Sequence, residues 1–308
     1  MKIGIIGSGA MGSLYGGILA ENGNEVYFID VFKEHVDRIN EKGLCIVEDG
    51  KERYIKNVKA TCNASEVGIV DLAIVFVKST ITDIAVNENK AVIGDNTIVL
   101  TLQNGIGNIE KINKYVDIGQ IVAGTSANGA SMIEPGKINH AGNGGTVIGE
   151  INGQITERIK MLKELLDLEK LGPCQISDNV MGLIWDKLLV NAGINPLTAI
   201  TGFRNGELLE HEESLAILES LVNEGIQVAK ALGIKLSHTT PDHCKNVCKA
   251  TSGNISSMLA DVMNKRKTEI MNINGAIVRE GKRLGIPTPV NEIMTNLVLL
   301  KEKSYSVN

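Results

Sequence analysis

The stretch "KIGIIGSGAMG" at the start of the chain constrains the fold more than any other feature. It sets G-x-G-x-x-G at Gly7, Gly9 and Gly12, behind a short apolar strand and ahead of a helical run from Ala10 to Asn22. In that context the spacing has a mechanism. Gly7 permits a tight turn, Gly9 leaves room for a pyrophosphate to reach the backbone, and Gly12 lets helix and strand pack closely. Ser8, Ala10 and Met11 complete the loop and the helix start, where free N–H groups can face phosphates. The next strand, "EVYFID", ends in Asp30. An acid at that point accepts hydrogen bonds from ribose hydroxyls and repels a 2′-phosphate, so NAD is expected over NADP. Lys33 and Arg38 lie just downstream and could soften that preference.

"LAIVFVK" (Leu72 to Lys78) and "TIVLTL" (Thr97 to Leu102) are continuous apolar runs, as strands buried on both faces require. A helical stretch, Thr82 to Val92, lies between them. This alternation predicts a parallel sheet covered by helices. Beyond Gly119 come strand-like pieces separated by glycines, ending at "GGTVIGE", and then a helix with Ile155, Ile159, Leu162, Leu165 and Leu166 on its apolar side. "LGPC" (Leu171 to Cys174) is turn chemistry and divides the chain into 1–173 and 174–308. Past it nearly everything reads as helix, with starts near Ser177, Ser214, Pro241 and Thr268 and a last helix after Pro289. The expected architecture is an α/β N-terminal Rossmann-type dinucleotide-binding domain followed by an all-α C-terminal domain, with ligands at the sheet's C-terminal edge.

Composition excludes several function classes. Net charge is −5 and aromatics are 3%, so neither a basic nucleic-acid footprint nor a base-stacking platform is present. No apolar run reaches the ~20 residues of a membrane span, and the first residues lack the long apolar core of a signal peptide. The five cysteines are odd in number and scattered, which suits reduced thiols in a cytoplasm. Cys244 and Cys248, near His238 and His243, have C-x-x-x-C spacing rather than a zinc knuckle's, so no metal is expected and the cysteines are read as facing a helix's apolar side.

The helix "GLIWDKLLVNAGINPLTA" raises a different question. Among its apolar residues stand Lys187, Asn191 and Asn195, four apart, hence on one face. Such a row is either a solvated stripe or the wall of a polar pocket. Taken singly, each residue has a plain reading: an ordinary lysine, a surface amide, and a residue marking a kink before Pro196.

Several motifs in order argue for the pocket. They are "GSGAMG", "FVKS" around Lys78, "LQNGIGN" around Asn104, "WDKLLVNAGINPLTA", "NGEL" at Asn205, and "NISSMLADV" followed by "TEIMNINGAIV". Over nearly its whole length the chain resembles the ketopantoate reductase (2-dehydropantoate 2-reductase) family. The resemblance implies that Lys187 is the catalytic lysine and Glu269 an acid near the reacting centre. It implies that Asn191, Asn195, Asn205 and Ser257 bind substrate, with Asn104 between substrate and cofactor. Lys78, Ala130 and Glu269 match positions that contact the cofactor.

The chemistry asks for these types independently. As a hydride reaches the carbonyl carbon of a 2-keto acid, charge grows on its oxygen; an ammonium there stabilises the charge and can supply the proton. Asparagines hold the substrate without adding charge. The expected reaction is NAD(P)H-dependent reduction of ketopantoate to (R)-pantoate, on the route to coenzyme A. Asp30 departs from the basic or neutral residue expected of NADPH-using members and resembles the NAD-using, D-mandelate-type 2-hydroxyacid dehydrogenases. Such an enzyme acting on another branched or aromatic 2-keto acid is the first alternative, and a non-catalytic dinucleotide-binding regulator the second. The sequence is silent on oligomeric state; a homodimer is compatible with it.

Overall fold

The computed structural model describes residues 1–306. The chain divides into two compact units, 1–103 with 108–180, and 104–107 with 181–308.

The first unit is built on a sheet of strands β1 (Lys2–Ile6), β2 (Glu25–Ile29), β3 (Leu44–Glu48), β4 (Lys51–Ile55), β5 (Val58–Thr61), β6 (Leu72–Val75), β7 (Ile98–Thr101), β8 (Ile121–Glu134), β9 (Lys137–Glu150) and β10 (Cys174–Ile176). Their order is β4-β3-β9-β8-β7-β6-β1-β2-β5, with β10 beside β9. From β5 to β8 every pairing is parallel; β8 and β9 form an antiparallel hairpin. The helices of this unit are α1 (Ala10–Glu21), α2 (Lys33–Lys42), α3 (Thr82–Glu88), α4 (Asn108–Asn113) and α5 (Glu157–Leu166). The period-2 alternation of β6 shows why both faces need cover: Leu72 and Ile74 enter one apolar cluster, Ala73 and Val75 another, all four fully buried.

Three details of this unit differ from the sequence reading. The glycine-broken pieces after residue 119 are two 14-residue strands, whose register shifts between Ser126 and Asn128 and between Gly129 and Ala130. The glycines permit bulges in a continuous ribbon rather than ending strands. The helix expected over Thr82–Val92 stops at Glu88 and gives way to a 3₁₀ turn, Lys90–Val92. The β3–β4 hairpin was not foreseen, although Asp49-Gly50 carries its signal: both residues have positive φ, +49° and +75°, as a two-residue type I′ turn requires.

The second unit holds α6 (Val180–Thr201), α7 (Glu212–Ala231), α8 (Asp242–Ala250), α9 (Ser257–Met263), α10 (Asn274–Leu284) and α11 (Pro289–Lys303). Its core joins Trp185, Leu188 and Leu189 of α6 to Leu218, Leu221 and Val222 of α7, Ile277 of α10 and Val298 of α11. The helix expected from Thr268 is a 3₁₀ turn at Ile270–Asn272, and α10 begins only at Asn274. The reason is local competition: Thr268 donates its N–H and hydroxyl to Glu302 Oε1, and its hydroxyl accepts the Ile270 N–H. Helix α9 was also unforeseen; Ser256 caps it by accepting the Leu259 N–H. Among the described residues no helix is long and apolar enough to cross a membrane.

Candidate active site

In the first unit the glycine loop has the geometry its spacing implies. Gly7 has φ +92°, and a Cβ there would lie 2.6 Å from Val77 Cγ1. A Cβ on Gly12 would lie 2.0 Å from the Gly7 carbonyl oxygen, so only glycine lets α1 start so close to β1. Gly9, in contrast, faces open space, with nothing within 4 Å of the Cβ position. An anion can therefore approach the first-turn amides of Ala10, Met11 and Gly12, which no residue inside α1 can pair.

Asp30 closes the loop from the end of β2. Its Oδ2 accepts the Ser8 N–H at 2.6 Å and the Ser8 hydroxyl at 3.1 Å, and its Oδ1 accepts the Phe32 N–H at 2.9 Å. The Ser8 carbonyl is held from the other side by the Ser13 hydroxyl, 2.7 Å away. His35 backs Ser13. Its Nδ1 accepts the Gly136 N–H, so the ring proton sits on Nε2 and points to Ser13 Oγ, 3.2 Å away. Burial lowers the His35 pKa, against the opposing pull of Asp30, and keeps the ring neutral as this arrangement requires.

Lys78 is exposed at the turn after β6. That turn is shaped by Gln103, whose Nε2 donates to the Val77 carbonyl at 2.6 Å and the Thr82 hydroxyl at 2.8 Å. Gln103 was missed in the sequence, although it sits beside Asn104 in "LQNGIGN". Ala130 lies at the bulged part of β8, half-buried against the core.

Asn104 belongs to the second unit. Its segment is fastened by Ile106 N–H donating to the Asn272 carbonyl at 3.3 Å. Gly105 has φ +79° and passes so close that a Cβ would be 2.4 Å from that same oxygen. Asn104 is thereby carried to the segment that begins with Glu269.

On α6, Lys187, Asn191 and Asn195 occupy one face, and the helix runs through Pro196 to Thr201. Asn195 is buried and its Nδ2 lies 3.5 Å from the Ser257 hydroxyl, which brings these two predicted residues together. Lys187 keeps some exposed surface as a residue, while its ammonium lies among protein atoms. That burial pulls its pKa down to about 8, and the nearby Glu269 carboxylate pulls the other way. Asn205 is buried, and its Nδ2 donates to the Thr251 hydroxyl at 2.9 Å, which ties it to the loop leading into α9. Its Oδ1 is buried without a hydrogen-bond partner, an acceptor aimed at nothing the protein supplies. Cys244 and Cys248 are buried on α8, and among the described residues no cluster of three His, Cys, Asp or Glu side chains could hold a metal.

Two family models match this chain: Ketopantoate reductase PanE/ApbA over residues 3–153 and Ketopantoate reductase PanE/ApbA C terminal over residues 179–302. The chain belongs to the ketopantoate reductase family. The 2-dehydropantoate 2-reductase of Pyrococcus horikoshii is 37% identical, over 98% of either chain. That of Halobacterium salinarum is 34% identical, over 98% of this chain and 99% of the relative. The crystal structure of a ketopantoate reductase from Ralstonia eutropha superposes with a TM-score of 0.90 at 33% identity, and that of a D-mandelate dehydrogenase with NADH and anilino(oxo)acetate with 0.92 at 35%; each match covers 99% of both chains. Members of this family are NAD(P)H-dependent reductases of a small keto acid, and the Rossmann-like and helical units seen here are the family's two parts.

Proposed function

We propose that this chain is a 2-dehydropantoate 2-reductase, reducing ketopantoate to (R)-pantoate. The carrying observation is the set on one side of the helical unit: Lys187 with a pKa of about 8 under the influence of Glu269, and Asn195 beside Ser257. Bound dihydronicotinamide supplies a hydride to the carbonyl carbon. Gly7, Ser8, Gly9, Ala10, Met11, Gly12 and Asp30 hold the dinucleotide, with Lys78, Asn104, Ala130 and Glu269 as further contacts. Lys187 polarises the keto oxygen and donates the proton that makes the hydroxyl. A pKa of about 8 leaves Lys187 mostly protonated at neutral pH, yet it yields a proton far more readily than a free lysine. Asn104, Asn191, Asn195, Asn205 and Ser257 orient the acid, and Glu269 steadies the Lys187 charge. Five free thiols fit a reducing cytoplasm.

The pH dependence follows with a definite sign. Reduction needs the Lys187 ammonium, so its kcat/KM should fall as pH rises through about 8; kcat/KM for oxidation of the hydroxy acid needs the amine and should rise over the same range. Paired pH profiles in the two directions check this, and parallel profiles would remove Lys187 from proton transfer.

Asp30 supports NADH as the preferred donor, and the NADH-bound D-mandelate dehydrogenase at 35% identity keeps a second substrate reading alive. Initial rates with NADH and NADPH on ketopantoate and phenylglyoxylate decide both. A high rate on ketopantoate supports the proposal. A preference for phenylglyoxylate transfers it to the D-2-hydroxyacid dehydrogenase reading, and cofactor binding without turnover to the regulator reading.

A further inference from the structure

Pro196 creates a defect in the helix that carries the proposed site. It has no N–H, so the carbonyl four residues earlier, Ala192, loses its helical partner. Ala192 is fully buried and lies between Asn191 and Asn195 on the helix. A buried carbonyl left unpaired is unfavourable, and helices bend where a proline interrupts the ladder.

The missing donor comes from another helix. Asn274, the first residue of α10 and fully buried, donates its Nδ2 to the Ala192 carbonyl at 3.0 Å. The same Nδ2 donates to Asn291 Oδ1 at 3.0 Å. Asn291 in turn spends its own Nδ2 on the Leu221 carbonyl at 3.0 Å and on Glu224 Oε2 at 2.7 Å. Glu224 also accepts the Val290 and Asn291 N–H groups at 2.9 Å each. The chain of donors has one direction only. Both neighbours of the Asn274 amide are acceptors, so its nitrogen must face them, and its Oδ1 is left buried without a partner. The amide is thus oriented by the carbonyl that Pro196 frees and by Asn291.

Two residues past Pro196, Thr198 ties down the same stretch of helix. Its hydroxyl lies 3.1 Å from the Ile194 carbonyl and 3.0 Å from that of Asn195, and 2.7 Å from Ser256, the cap of α9. The backbone between Asn191 and Asn195 is held on either side of the defect.

We infer that Asn274 is a positioning residue for the reduction: by replacing the hydrogen bond that Pro196 removes, it fixes the α6 backbone at Ala192 and so the placement of Asn191 and Asn195 against the substrate. The inference rests on the proposed reading of those two asparagines. It accounts for why an asparagine, rather than any apolar residue, opens α10 at a fully buried position.

The test is a double-mutant cycle on the full chain with Asn274→Ala and Pro196→Ala. Pro196→Ala gives residue 196 an N–H and returns to Ala192 its own helical donor. In the natural background, Asn274→Ala should lower kcat/KM for the keto acid about 10- to 100-fold, as small misplacements of substrate-holding groups do, with the NADH dissociation constant unchanged. In the Pro196→Ala background the same substitution should cost less than about threefold. A role confined to stability, through Asn291, is untouched by Pro196→Ala and predicts equal penalties in both backgrounds; equal penalties, or no penalty, overturn the inference. Should Asn274→Ala be insoluble, recovery of a folded, active double variant supports it and an insoluble double variant overturns it. Should Pro196→Ala be inactive by itself, a crystal structure of Asn274→Asp takes over, and an unmoved 191–196 backbone is the overturning result. Lys187→Ala run alongside separates the two readings. If that variant keeps its turnover, the site assignment fails; if it is inactive while the Asn274 penalties are equal, only the positioning role fails.

Discussion

Replacing Lys187 with alanine is expected to lower kcat for keto acid reduction about 10³-fold or more, while the dissociation constant for NADH stays within about twofold. Two losses combine. The developing oxyanion loses a charged donor in a site that burial has made poor in water, where such donors count most. The proton must then come from solvent. On the proposed reading most dinucleotide contacts come from the loop around Gly9 and from Asp30, in the other unit, so the effect should fall on kcat. Stopped-flow reduction and NADH fluorescence titration on the same preparation measure both quantities. Turnover within about tenfold of the parent would exclude Lys187 as the acid, since general acid catalysis is seldom worth less.

Asp30→Ala carries the second large effect. The ratio of kcat/KM with NADH to that with NADPH should fall about 30- to 100-fold, because hydrogen bonds to a charged acceptor are worth about 1.5–3 kcal/mol and the 2′-phosphate no longer meets a carboxylate. Asp30 also fixes the loop through Ser8, at 2.6 Å to its N–H, so both cofactors should bind somewhat more weakly. The ratio removes that common loss. Asp30→Asn should retain part of the loop contact and move the ratio in the same direction. An unchanged ratio in both variants would mean that Asp30 serves the loop and does not read the ribose.

How far the site was legible depended on the range of the signal. The glycine loop is written in consecutive residues, because a tight turn and a close helix start are local demands that only glycine meets. Strand β6 was legible as a continuous apolar run and the polar row on α6 by its spacing, because both signals are local too. Asn104 was identifiable only through the motif around it; nothing in its own neighbourhood says that its segment leaves the sheet unit and bonds to Asn272. The delayed start of α10 was hidden because Glu302, over 30 residues away, captures the Thr268 N–H. Asn274 stands within "TEIMNINGAIV" but its role was not legible, since its partners are Ala192 and Asn291.

By itself, then, the sequence determined the β-α-β rhythm, the dinucleotide loop, and the spacing that puts an ammonium and two amides on one helix face. These follow from backbone geometry over a few residues. Tertiary structure alone decided that the Lys187 ammonium is desolvated to a pKa of about 8, that Asn195 meets Ser257, and that the carbonyl freed by Pro196 finds its donor on α10. Desolvation and the pairing of buried polar groups depend on which distant segments pack together, and only the folded chain specifies that.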